Sequence, residues 1–74
     1  EVIVNFEDLK KIIHLAQSQN IQKSAAELNI TSGALSKTLK KIEANLNTAL
    51  FTRSGRNIQL NQQGKKFLGY ASQL

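Results

Sequence analysis

Apolar residues recur three and four apart near the start of the chain, and Phe6, Leu9, Ile12, Ile13 and Ala16 fall on one side of a helix. Asn5 stands before them as an N-cap with Asp8 three residues on. The pattern predicts a first helix from Asn5 to Ser18, ended by the polar run Gln17-Ser18-Gln19-Asn20. Asn20 then caps a shorter helix in which Ile21, Ala25 and Leu28 face one way, and the small pair Ala25-Ala26 lets another helix approach closely. After the turn Leu28-Asn29-Ile30, Thr31 caps a third helix. Projected at about 100° per residue, its Leu35, Leu39, Ile42 and Leu46 share a roughly 60° arc, with Gly33, Lys37, Lys40, Lys41 and Ala44 opposite.

The period then changes. Leu50-Phe51 and Ile58 with Leu60 flank Ser54-Gly55-Arg56, where Gly55 can take positive φ, so two brief strands joined by a turn are predicted. Asn61 caps a fourth helix that runs to the end of the chain, with Phe67, Tyr70, Ala71 and Leu74 at helical spacing. Gly64 and Gly69 should each weaken this helix by about 1 kcal/mol relative to alanine. The expected fold is mainly α: a winged helix-turn-helix with a three-helix core, a short two-stranded wing and a C-terminal helix. Residues 1–60 would form the domain, and 61–74 the start of a linker or dimerisation helix.

Composition narrows the function. With 74 residues and 41% hydrophobic content the chain supports one small domain. It has no cysteine, so neither disulfides nor a thiolate metal site can staple it. No apolar run approaches the roughly 20 residues of a membrane span, and the opening Glu-Val-Ile-Val is too short and too acidic for a signal peptide. The first residue is Glu1 rather than methionine, which suggests a cut or processed chain. His14 is the only histidine and is read as a surface or boundary residue rather than a metal ligand. Glu43 has no partner base or nucleophile nearby in the pattern, so a structural hydrogen bond or ion pair is expected, and no enzyme is read here.

Charge is unevenly spread. The formal net charge is +5, yet residues 1–30 carry three lysines against four acidic residues, whereas residues 31–74 carry seven cations against Glu43 alone. A basic second half points to an anionic partner, with nucleic acid first and an anionic membrane second. The front of the third helix fits the first. A helix entering the major groove brings its opening turns closest to the base edges, where bulky apolar groups would dehydrate polar edges without replacing their bonds. Gly33 and Ala34 permit close approach, Ser32 and Ser36 offer hydroxyls, and Lys37 can reach a guanine edge or a phosphate. Lys40 and Lys41, deeper along the helix, suit neutralisation of backbone charge. Thr31 is explained by capping, with a phosphate contact compatible.

Ala25, Thr31, Ala34, Leu35, Ser36, Leu39, Ile42, Glu43, Leu50, Phe51 and Arg53, followed by Gly55, Arg56, Leu60 and Gly64, fall in one register across three elements. In that register the chain resembles the DNA-binding domain of LysR-type bacterial transcription regulators over residues 6 to 74. Departures are Gly33 in place of proline, which should loosen the first turn of the helix, Asn47 for glycine, Ser24 for alanine, Ile21 for phenylalanine and Asn61 for threonine. Asparagine tolerates a left-handed helix cap, so the turn at Asn47 should survive.

The resemblance implies sequence-specific binding of double-stranded DNA in the bacterial cytoplasm. Residues 31–44 would occupy the major groove, Arg53 and Arg56 of the wing the backbone or minor groove, and Gln22 and Lys23 phosphate. It implies a homodimer through Phe67, Tyr70, Ala71 and Leu74, whose exposed stripe also suggests association, reading an inverted-repeat operator. No cofactor is implied in this domain and no membrane; a small-molecule effector would bind only through a separate C-terminal domain. Two other readings are weighed. A MarR-like regulator is disfavoured by the Leu35-Ser36 and Leu50-Phe51 register, and a winged helix used for protein interaction would turn the same cations toward acidic protein.

Overall fold

The computed structural model describes residues 5–72, with side chains through Gly69. Its elements follow in the order α1 (Phe6–Ser18), α2 (Ile21–Glu27), α3 (Ser32–Leu46), β1 (Phe51–Ser54), β2 (Asn57–Leu60) and α4 (Gln62–Ser72). The caps stand where the sequence places them. Asn5 Oδ1 accepts the Glu7 N–H at 2.8 Å, Asn20 Oδ1 the Lys23 N–H at 2.9 Å and Thr31 Oγ1 the Ala34 N–H at 3.0 Å. Each satisfies a helix donor that would otherwise lack a partner, an effect of about 1 kcal/mol. The Thr31 cap starts α3 at Ser32, so Gly33 leaves the first turn in place.

Asn47 ends α3 in the left-handed region at φ 53, as expected, and Asn29 at φ 60 makes the turn between α2 and α3. Gln19 at φ 59 is the surprise, because glutamine lacks the short polar side chain that eases this conformation for asparagine.

Ile12 and Leu15 of α1, Ala25 of α2 and Leu35, Leu39 and Ile42 of α3 form the core, closed by Leu50, Phe51, Ile58 and Leu68. One expectation fails at α1. Phe6 is 68% exposed, and Lys10 Nζ lies 4.9 Å from its ring centroid. The rest of the predicted stripe, Leu9, Ile12, Ile13 and Ala16, packs on or in the core, and the buried face extends past it to Asp8 and Leu15. Asp8 therefore meets α3, where Lys41 Nζ reaches its Oδ2 at 2.9 Å. Lys41, expected with Lys37 and Lys40 on the basic face, is tied to α1 instead.

The hairpin pairs Phe51 with Leu60, Thr52 with Gln59, Arg53 with Ile58 and Ser54 with Asn57, around Gly55 at φ 60. Isolated two-stranded hairpins are marginal in water. Here both outer edges are fastened to helices. On β1, Glu43 Oε2 accepts the Leu50 N–H at 2.6 Å and the Phe51 N–H at 3.4 Å. On β2, the Ile58 N–H donates to the Gln19 carbonyl at 3.0 Å. The expected structural role of Glu43 is thus a clamp on the wing.

Asn61 fastens α4. Its N–H donates to the Leu50 carbonyl at 2.9 Å, its Nδ2 to the Ala49 carbonyl at 2.8 Å, and its Oδ1 accepts the Gly64 N–H at 2.8 Å. Gly64 and Leu68, one turn apart, are the buried positions among the described side chains of this helix. Phe67, the one residue of the predicted stripe whose side chain is described, sits half-buried beside them. The side chains of Tyr70 and Ala71, and all of Leu74, lie outside the described residues. Among those described, no helix is long and apolar enough to cross a membrane.

Candidate nucleic-acid interface

A concave cleft of about 540 Å³ runs between the start of α3 and the wing. Ser32, Gly33 and Ser36 form its floor, Asn20, Ile21 and Gln22 of the α2 start one wall, and Arg53, Gly55, Arg56, Asn57 and Ile58 the other. Local structure explains each placement. Ser32 and Ser36 are four apart on α3 and so stack along one row, while Leu35 and Leu39 turn into the core. Arg53 faces Ile58 in the strand register, which puts both on the side of the hairpin that looks toward the helices. The tight turn at Gly55 brings Arg56 back to the same wall.

Among the described residues, two arginines and no acidic residue line the cleft. The backbone adds donors, since the first N–H groups of a helix have no acceptor within it. At α3, Thr31 takes up the Ala34 and Leu35 donors, through its Oγ1 and its carbonyl, and leaves those of Ser32 and Gly33. A surface of guanidinium groups, hydroxyls and helix N-terminal amides suits an anionic, hydrogen-bonding ligand.

Gln22, Ser32, Gly33, Ser36, Arg53 and Arg56 are thus brought together. Lys37 and Lys40 extend the exposed side of α3 beyond the cleft, and neither is held in an ion pair among the described residues. Lys23 is exposed on α2 outside the cleft, and Thr31 is engaged as the α3 cap. Sequence reasoning missed Asn57, and it read Asn20 only as a cap and Ile21 only as an apolar position. Asn57 was accessible to it, because it follows Arg56 directly in a turn already assigned to the wing.

The chain has relatives of known family. Residues 6–65 match the family model of the bacterial regulatory helix-turn-helix protein, lysR family. Over 68 residues the chain is 34% identical to the HTH-type transcriptional activator IlvY of Haemophilus influenzae, covering 92% of this chain and 23% of that protein. It is 42% identical over 65 residues to the uncharacterised HTH-type transcriptional regulator YybE of Bacillus subtilis, covering 88% and 22%. In three dimensions it superposes on the CbnR DNA-binding domain, solved as a DNA complex, with a TM-score of 0.88 at 30% identity over 95% of this chain and 80% of that one.

The chain belongs to the LysR family of bacterial helix-turn-helix regulators, as a winged helix-turn-helix DNA-binding domain of that family. The MarR-like alternative falls with that assignment. The chain spans less than a quarter of the length of these two curated relatives.

Proposed function

We propose that the chain binds double-stranded DNA sequence-specifically as a two-fold homodimer, in the bacterial cytoplasm, and regulates transcription as part of a longer protein. The observation that carries this is the cleft itself, where the α3 start and the wing arginines converge on one surface with no acidic side chain among the described residues. In this reading Ser32, Gly33, Ser36 and Lys37 approach base edges in the major groove, and Lys40, Gln22, Lys23 and Thr31 engage phosphates. Arg53 and Arg56 follow the backbone or enter the minor groove, whose narrow A·T tracts attract arginine.

In this reading α4 serves association. It is anchored at Asn61, Gly64 and Leu68, and Phe67 borders a shallow groove with Leu46 and Leu50. Residues 61–74 would continue as a linker helix pairing with that of a second copy through Phe67, Tyr70, Ala71 and Leu74. A small-molecule effector would bind a C-terminal domain of the periplasmic-binding-protein type, and the DNA-binding domain itself would need no cofactor.

Selection from a random duplex pool tests the reading. The chain should enrich an inverted repeat whose half-sites are one or more helical turns apart, ~34 Å each, and log K should fall by about 0.9 for each phosphate neutralised as log salt rises. Binding of acidic protein with no enriched duplex would support the protein-interaction alternative instead.

The same duplex separates readers from positioners on α3. Lys37→Ala is expected to relax preference at one base position by ~1 to 3 kcal/mol, whereas Lys40→Ala weakens all sequences alike and lowers the salt slope by about one. Equal, uniform losses in both variants would show the division of the helix to be wrong.

A further inference from the structure

Ser18, Gln19 and Asn20 join α1 to α2, and each binds a different part of the molecule. Ser18 Oγ lies 2.5 Å from the Oγ of fully buried Ser24 and accepts the Asn20 N–H at 3.1 Å. That N–H has no other acceptor among the described residues. Gln19, in its left-handed conformation, presents its carbonyl to the Ile58 N–H of the wing. Asn20 caps α2 through the Lys23 N–H and also lines the cleft. Ser24 is held from its other side by His14, whose Nδ1 lies 2.8 Å away while its Nε2 is 3.3 Å from Glu27 Oε1. A serine at position 24, where the family pattern has alanine, therefore gives Ser18 a buried hydroxyl to grip.

The position of this turn matters for the cleft. Ile58 is the register partner of Arg53, so the bond from Gln19 holds the wing level with the arginine that faces α3. A short hairpin cannot set its own angle to the helices, so that angle follows from its edge attachments. Gln19 occupies a conformation that glutamine rarely adopts, and this persists only where neighbouring bonds over-determine it.

We propose that Ser18 is a positioning residue for DNA recognition. By gripping Ser24 and the Asn20 N–H, it holds the Gln19 carbonyl where β2 docks, and so sets the reach of Arg53 from the recognition helix. This rests on the DNA-binding reading above. A residue that merely stabilised the fold would affect affinity independently of Arg53, and a double-mutant cycle separates the two roles.

The probe is a labelled duplex enriched by the wild-type chain, with affinities measured at fixed salt where circular dichroism shows each protein folded. Ser18→Ala is expected to weaken binding roughly fivefold or more in the wild-type background, and less than about twofold beside Arg53→Ala. Ser18→Thr, which keeps the hydroxyl, should bind like the wild type. A full loss retained beside Arg53→Ala, or no loss at all, overturns the proposal.

Should Ser18→Ala not fold, a synthetic chain with Ile58 replaced by its α-hydroxy acid removes the N–H that the Gln19 carbonyl accepts and leaves every side chain unchanged. Loss of Arg53-dependent affinity in that chain supports the proposal, and unchanged affinity overturns it. A wild type that enriches no duplex overturns the DNA reading as well, whereas a binding wild type with an additive cycle overturns only the role of Ser18.

Discussion

Gly64→Ala and Gly69→Ala, five residues apart in one helix, are expected to change stability in opposite directions. A Cβ at position 64 would fall on the Leu50 carbonyl oxygen and lie 2.7 Å from Leu60 Cδ2. The carbonyl cannot retreat cheaply, because it accepts the Asn61 N–H that anchors the start of α4. The helix would have to lift away, drawing Leu68 out of the core and breaking the Asn61 clamp. Overpacking of this kind costs about 1 to 3 kcal/mol, and the backbone position of the obstacle puts Gly64→Ala at the upper end. A Cβ at position 69 meets nothing within 4 Å, so alanine there should stabilise by up to ~1 kcal/mol through helix propensity. Urea denaturation of the three proteins decides, and two changes of the same sign would show that α4 is not held as described.

Those glycines also mark where sequence reasoning stops. Helix propensity treats them alike, as weak points of equal size, because it sees each residue on its own helix and not the carbonyl that another segment brings against it. The caps Asn5, Asn20 and Thr31 were legible because a cap is a contact between a residue and the backbone two or three positions on. The wing turn was legible for a similar reason, since Gly55 answers a local conformational demand. The buried face of α1 was legible in part. The stripe begun at Phe6 put Leu9, Ile12, Ile13 and Ala16 against the core, but Phe6 itself is exposed, and Leu15 and Asp8 could be recognised as inward only once α3 was in place with Lys41.

The candidate site divides along the same line. Ser32, Gly33 and Ser36 were readable because small and hydroxyl-bearing residues open the helix where base edges would come closest. The convergence of Gln22 with Arg53 and Arg56 depends on how the α1–α2 turn meets the hairpin, through bonds made by backbone atoms of Gln19 and Ile58. Backbone bonds between distant segments leave no side-chain signature. The register match to LysR-type regulators supplied what local patterns could not, because a family pattern carries the outcome of such packing.

Glu43→Ala should be the most damaging single change to the wing, with an expected loss of about 3 kcal/mol in unfolding free energy. Its carboxylate accepts from both the Leu50 and the Phe51 N–H, and both residues are buried, so truncation leaves two donors shielded from water without their acceptor. Glu43→Gln keeps one oxygen able to accept at the shorter bond, and its cost should be roughly half as large. The effect on DNA binding offers a sharper distinction. Glu43 is the sole acidic residue after position 30, and removing it raises the formal net charge from +5 by one unit. Simple electrostatics would then strengthen binding to every duplex. The clamp predicts that non-specific binding by the folded fraction rises slightly while affinity for an enriched duplex falls, because the loosened β1 no longer holds Arg53 over the cleft. Measured on folded protein, a uniform rise on specific and non-specific DNA alike would reduce Glu43 to a surface charge and remove its role as the clamp that aims the wing.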